Sequence, residues 1–179
     1  MKKYLVILVT VFVLFISGKA AHAFEIDAAF HIATESTSGS GMGIGAGVGV
    51  AFDIADVKFA KIMGRVDVSY IDASDSTTFF GTTTKTTFTR IPIFTGARLV
   101  FPVSKLLKPY AEAGFELSFD KSEVTVGTIT ASSTGANFGA AFGGGINFDF
   151  GGFFAGVNLR YHAISAGYLT FSPTIGFSF

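Results

Sequence analysis

Tyr168-Leu-Thr-Phe-Ser-Pro-Thr-Ile-Gly-Phe-Ser-Phe179 divides by parity into two chemically different sets. Leu169, Phe171, Pro173, Ile175, Phe177 and Phe179 fall on one side, and Tyr168, Thr170, Ser172, Thr174, Gly176 and Ser178 on the other. A β-strand turns successive side chains to opposite faces, so this segment is apolar on one face and small or polar on the other. In water such a strand is an aggregation-prone edge. Closed into a barrel within lipid, its backbone is fully paired and its apolar face meets hydrocarbon.

The opposite end of the chain fits export. Met1-Lys2-Lys3 is a basic start, Tyr4 to Ser17 is an almost unbroken apolar run, and Ala21-His22-Ala23 is a small-x-small cleavage site. Residues 1–23 are therefore expected to be a signal peptide, with residues 24–179 as one β-barrel domain. The apolar run is short for a retained spanning helix of about 20 residues. Of the 13 basic residues, Lys2, Lys3 and Lys19 leave with this segment, while all 13 acidic residues stay. The acidic mature chain offers no electrostatic footprint for nucleic acid. With no cysteine, an exported fold holds without disulfides. Mean hydropathy is positive although no long apolar run follows residue 23, as dispersed lipid-facing residues on alternating strands would produce. Phenylalanine and glycine each number 22, and tryptophan is absent, a departure from the usual mixed aromatic girdle.

Period-two reading gives eight strands: Phe24–Ala33, Met42–Ile54, Val57–Ile71, Lys85–Phe101, Pro109–Phe119, Ala136–Phe150, Phe153–His162 and Tyr168–Phe179. The second is the cleanest. Met42, Ile44, Ala46, Val48, Val50, Phe52 and Ile54 alternate with Gly43, Gly45, Gly47, Gly49, Ala51 and Asp53. The connections alternate too: Ala55-Asp56 and Gly151-Gly152 are tight, whereas Thr34–Gly41, Asp72–Thr84 and Asp120–Gly135 are long and rich in Ser and Thr. Short periplasmic turns and longer outer loops are the expected asymmetry of membrane barrels. Pro102–Lys108 is long for such a turn and Ala163–Gly167 is short for an outer loop. The expected fold is all-β, an eight-stranded antiparallel up-and-down transmembrane β-barrel. Its eighth strand closes on the first, with Phe177 and Phe179 beside Phe24 and Phe153. A soluble secreted β-sandwich is the rival, and it has to account for the apolar strand exteriors.

Lys108-Pro109-Tyr110-Ala111-Glu112-Ala113-Gly114-Phe115-Glu116, Asn158-Leu159-Arg160-Tyr161 and the Phe177-Ser178-Phe179 end together resemble the small eight-stranded outer-membrane β-barrel family. That family includes opacity-type, adhesion/invasion-type and OmpA-type transmembrane domains, and the likeness covers nearly all of residues 24–179. It implies residence in a Gram-negative-type outer membrane among its lipids. It also implies a C-terminal assembly signal in Ile175, Phe177 and Phe179, read by the barrel-assembly machinery. The chain is expected to act as a monomer with a structural or surface-interaction, adhesin-like role. The outer loops around Ser36–Gly41, Ser74–Thr84 and Ser122–Ser133 would meet a host or envelope ligand. No cofactor, metal or catalysis is expected.

The inward parity gathers Arg65, Arg90, Arg98 and Arg160 with Glu25, Asp27, Asp67, Glu112, Glu116 and Asp149. The network of Arg65, Arg90, Arg98, Glu112, Glu116 and Arg160 reads either as an ion or ligand pathway or as a salt-bridged plug. Eight strands enclose room for side chains and little else, which favours the plug. The glycine faces of strands two and six remove lumen volume, so the long side chains must reach across or leave a narrow cavity. Two sharper alternatives attach to histidines. His162 and Ser165 loosely resemble the His-x-Ser-Asn segment of lipid A deacylase barrels, with altered spacing, no asparagine and no following acid. His31 and His162 read alternatively as a metal pair, without a placed carboxylate. The remaining functional alternative is a narrow channel or carrier for small or hydrophobic solutes.

Overall fold

The computed structural model describes residues 24–35, 42–164 and 167–179. The expected signal peptide, the Ser36–Gly41 loop and Ser165 lie outside these residues. Eight strands follow in order: β1 (Phe24–Glu35), β2 (Met42–Val57), β3 (Ala60–Phe79), β4 (Thr82–Val100), β5 (Leu107–Val126), β6 (Ile129–Asp149), β7 (Phe153–Ala163) and β8 (Tyr168–Ser178). Each pairs antiparallel with its sequence neighbour, and β8 pairs with β1 to close the barrel. At the seam Ile26 lies opposite Phe177, and Phe24 and Phe179 exchange backbone hydrogen bonds of 3.2 and 2.9 Å. An eight-stranded antiparallel up-and-down barrel is thus the architecture, as the parity of the strands anticipates.

The apolar parity faces outward. Phe30, Ile44, Val48, Tyr70, Phe115, Phe138, Phe142 and Leu159 are exposed around the circumference, as lipid contact requires. Phe24, Phe153, Phe177 and Phe179 cluster at the end where the chain termini meet. Ring centroids there are 5.8 Å apart for Phe24–Phe179 and 5.6 Å for Phe153–Phe177. Gly151 and Gly152 both take positive φ, +83° and +102°, in the tight turn joining β6 to β7. Glycine adopts that backbone without the steric penalty a side chain brings.

Two sequence expectations are corrected. The β2–β3 turn falls at Lys58-Phe59, not at Ala55-Asp56, because a bulge between Asp53 and Ala55 carries β2 on to Val57. Of the long outer connections, Asp72–Thr84 and Asp120–Gly135 are almost entirely strand. Asp72 to Phe79 pairs with Thr82 to Thr89, and Asp120 to Val126 pairs with Ile129 to Gly135. The two hairpins also pair with each other, Thr84 opposite Val126 through Thr89 opposite Lys121. Threonine is β-branched and favours strands, so a Thr-rich segment paired on both sides extends a sheet. The result is a four-stranded wall on one side of the outer mouth, rising about 25 Å along its strands at ~3.3 Å per residue.

Candidate functional site

The lumen is where polar chemistry concentrates, because each strand turns alternate residues inward. β3 contributes Arg65, Asp67 and Ser69, β4 Arg90 and Arg98, β5 Tyr110, Glu112, Glu116 and Ser118, β7 Asn158, Arg160 and His162, and β8 Thr170 and Ser172, all buried. At mid-depth three arginines converge on one carboxylate. Glu112 Oε2 accepts from Arg98 Nε and Nη2 at 3.1 and 2.8 Å, and Oε1 accepts from Arg160 Nε at 2.9 Å and Nη2 at 2.5 Å. Asn158 also donates to Oε1 at 2.8 Å, and Arg65 Nε lies 3.9 Å from Oε2. Arg65 is further held by Asp27, at 2.6 and 2.9 Å, and by Asp67 at 2.6 Å. Arg160 bridges to Asp67 at 2.7 Å. Acids and guanidiniums alternate, so each buried charge has an opposite neighbour and its donors are used.

A second cluster sits nearer the outer mouth. His162 donates through Nδ1 to Glu116, and its Nε2 lies 3.0 Å from Thr170 Oγ1. Tyr168 donates to the other Glu116 oxygen at 2.9 Å and stacks on His162 with centroids 4.0 Å apart. Arg90 pairs with Asp120 at 3.0 Å and lies over the Tyr168 ring at 4.2 Å. Asp120 also accepts from Ser118 and Asn137, at 2.5 and 2.9 Å. His31 is held between Ser172 and Ser69, at 2.7 and 2.9 Å. Towards the chain termini Lys61 meets Asp53 at 2.6 Å, and Lys108 pairs with Asp149.

Of the six network residues singled out in the sequence, Arg65, Arg98, Glu112 and Arg160 form one mid-depth cluster. Arg90 and Glu116 belong to the upper one. The sequence order separates His162 from any acid downstream, yet Glu116 of β5 supplies that acid across the lumen. An acid–histidine–hydroxyl chain, Glu116–His162–Thr170, therefore exists where sequence adjacency gives no sign of it. Its hydroxyl belongs to an inward-facing threonine that is 3% exposed. His31 and His162 each bond within the protein to different groups, and no cluster of three or more metal-ligating side chains occurs among the described residues.

The glycine faces receive the long side chains. A Cβ at Gly49 would collide with Asp67 and Arg65, and one at Gly145 would sit 2.6 Å from the Tyr110 hydroxyl. Phe94 adds bulk from β4, its ring 4.1 Å from the Arg160 guanidinium. What remains is a cavity of about 30 Å³ bordered by His31, Arg65, Arg160 and His162. A water needs roughly 10–15 Å³ of such space, so the cavity is of water size. The chemistry here can fix strands and order water.

The chain matches the Outer membrane protein beta-barrel domain family over residues 7–178. No curated protein matches it by sequence. Among solved structures it is similar to Ail, the attachment invasion locus protein of Yersinia pestis. The two share 14% identity at a TM-score of 0.56, over 89% of this chain and 100% of that one. Neisserial surface protein A is similar at 20% identity and a TM-score of 0.55, over 89% and 98%. The outer-membrane enzyme PagL is similar at 16% identity and a TM-score of 0.52, over 86% and 98%. At these identities the likeness is one of fold. The inward charges, the lipid-facing exterior and the family match agree: this chain is an outer-membrane protein belonging to the outer membrane protein beta-barrel domain family.

Proposed function

We propose that this protein is a non-catalytic surface-interaction protein in which the barrel serves as anchor and the four-stranded wall of β3–β6 meets the partner. The observation that carries this reading is the free edge of β6. From Ile129 to Phe138 this strand pairs, among the described residues, with β5 on one side only, because pairing with β7 begins at Ala140 and the Ala163–Ile164 backbone already lies against Gly139. The edge Ile129-Thr-Ala-Ser-Ser-Thr-Gly-Ala-Asn-Phe138 carries no charge and no proline. Proteins usually protect an edge with such residues, so an unprotected one is suited to pairing with an extended segment of another protein. The corresponding β3 edge is interrupted by Asp75. Ail, whose name marks attachment and invasion, shares the fold and so does the enzyme PagL, so fold alone does not choose between the roles. The plugged lumen supports the anchor over the channel reading. The burial of Thr170 and His162 among packed side chains speaks against deacylation.

Cells displaying the protein are expected to bind epithelial cells or matrix proteins above non-displaying cells. Ser132→Lys with Thr134→Lys is expected to return binding to that background while heat-modifiable gel migration stays unchanged. Equal binding by displaying and non-displaying cells would remove the surface reading. Planar-bilayer conductance above that of a control barrel would instead support the channel. Lipid A altered by wild type but not by His162→Ala would support the enzyme.

The proposal includes export and assembly. Residues 1–23 act as a cleaved signal, and Ile175, Phe177 and Phe179 act as the signal for the assembly machinery. Mass spectrometry of the mature protein is expected to begin at Phe24. Phe179→Ser is expected to lower the folded, heat-modifiable fraction in the outer membrane several-fold, and undiminished assembly would discard that role.

A further inference from the structure

A closed barrel has no edge strand, yet two of its strands carry a proline in their interior, Pro92 in β4 and Pro173 in β8. Proline has no N–H to give to a ladder, so it interrupts the pairing its nitrogen faces. Each leaves its mark on one joint. β1 pairs with β8 over Glu25–Ala29, skips Phe30 and His31, and resumes in the same register at Ile32. β3 pairs with β4 as far as Val68, skips Ser69 and Tyr70, and resumes in the same register at Ile71. With the register unshifted, the carbonyls of Phe30 and Ser69 are the ones that face a proline nitrogen. Within a bilayer no water replaces the missing donor, so the protein itself has to hold these joints together.

One side chain spans both gaps from the lumen side. The Nδ1 atom of His31 lies 2.7 Å from the Ser172 hydroxyl of β8, and Nε2 lies 2.9 Å from the Ser69 hydroxyl of β3. By the register, Ser172 is opposite His31 in the first gap and Ser69 is opposite Pro92 in the second. β2 lies between them and gives way, since a Cβ at Gly47 would sit 2.7 Å from Nε2. Side-chain bonds thus stand, at one level of the barrel, where two prolines remove backbone bonds. The two joints are not equally secure. Beyond its gap β3–β4 continues through Ile71–Phe79 into the wall, whereas β1–β8 keeps Ile32–Glu35 among the described residues. β6–β7 and β7–β8 are also short, but they run unbroken from Ala140 to Asp149 and from Phe153 to His162. The joint that is both short and interrupted is β1–β8. Its Ala29, His31, Ser172 and Thr174 line the lumen cavity.

We propose that the β1–β8 joint is a latch in the barrel wall. It parts at Phe30–Pro173 ahead of its neighbours, opening the lumen cavity towards the lipid, and the His31–Ser172 hydrogen bond holds it shut. Backbone amide exchange of the full chain in lipid nanodiscs, read residue by residue, tests this. Ladder bonds alternate along an antiparallel pair, so Ala28, Ile32, Phe171 and Ile175 donate across the latch, and Asn158, Arg160 and Thr170 across the adjoining β7–β8 joint. In wild type the first set is expected to exchange at least about fivefold faster, the weight of one ladder hydrogen bond. His31→Ala and Ser172→Ala remove the clasp from either end, and each is expected to widen that ratio several-fold. Pro173 faces lipid, so Pro173→Val supplies the missing N–H on an apolar side chain and is expected to bring the ratio close to one. The chain has no cysteine, so Ala29→Cys, on the lumen side of the joint, reports the opening itself. A maleimide confined to the bilayer is expected to label it, and to label it several-fold more slowly when Pro173→Val is added. Equal exchange at the two joints in wild type overturns the inference. So does equal acceleration of both joints by the clasp variants, or a ratio untouched by Pro173→Val. Absence of labelling in Ala29→Cys, or labelling equally fast with Pro173→Val, overturns the opening towards lipid.

Discussion

Glu112→Ala is expected to destabilise the barrel by about 3–5 kcal/mol, the cost of leaving buried charge without its partner. The carboxylate is fully buried and receives five hydrogen bonds, four of them from Arg98 and Arg160. Its removal leaves Arg98 with Glu25 at 4.0 Å as its remaining acid in the network, and Arg160 with Asp67 alone. Arg65 keeps Asp27 and Asp67, so the damage concentrates on two guanidiniums whose desolvation is no longer offset. Arg98 also lies 3.9 Å from the Tyr110 ring, but a cation–π contact replaces only part of a charge-assisted pair. Lys121→Ala is the control. It breaks the Lys121–Glu123 pair, whose side chains are 50% and 39% exposed, and is expected to cost less than about 1 kcal/mol. Urea unfolding in lipid vesicles measures both. A Glu112→Ala loss no larger than the control's would mean that water, not the ion network, fills the middle of the lumen.

This dependence on Glu112 was only half visible in the sequence. Parity assigned Arg65, Arg98, Glu112 and Arg160 to the interior because charges on the opposite face would meet hydrocarbon. Which arginine meets which acid depends on the stagger between strands, and Arg160 and Glu112 lie two strands apart, with Gly143 of β6 between them in the pairing. The same reason hid Glu116 as the partner of His162. The wall was missed for a different cause. Between Ala73 and Lys85 both sheet faces carry hydroxyls, so the apolar–polar contrast that reveals a membrane strand disappears, and Ser and Thr read as loop. Threonine's β-branch was the available signal, and the alternation of Val124 and Val126 with Glu123 and Thr125 was a second. Only the bulge at Asp53–Ala55 displaced a predicted periplasmic turn, since an inserted residue shifts the pairing without altering composition.

The upper limit of the membrane band can be located by moving one charge along the outer face. Val48 is 62% exposed in the middle of β2's apolar run, opposite Ala28 on one side and Val68 on the other. Val48→Arg puts a guanidinium near the bilayer midplane and is expected to cost about 2–4 kcal/mol. Thr78 also faces outward, but on the wall, where its hydroxyl lies 3.0 Å from that of Thr83. Thr78→Arg loses that contact and gains full solvation, so its expected cost is below about 1 kcal/mol. Both variants keep the barrel's inward face intact, so unfolding in the same vesicles compares depth alone. A soluble sandwich would tolerate the two arginines about equally, because each would replace an exposed residue in water. A Thr78→Arg penalty matching that at Val48 would draw the wall into the bilayer and remove the free edge of β6 from reach of any partner. A steep difference fixes the lipid boundary between the two positions. It also leaves Ile129–Phe138 and the Phe79–Phe80 tip standing in water, where an uncharged open edge and an apolar tip have reason to find something to cover them.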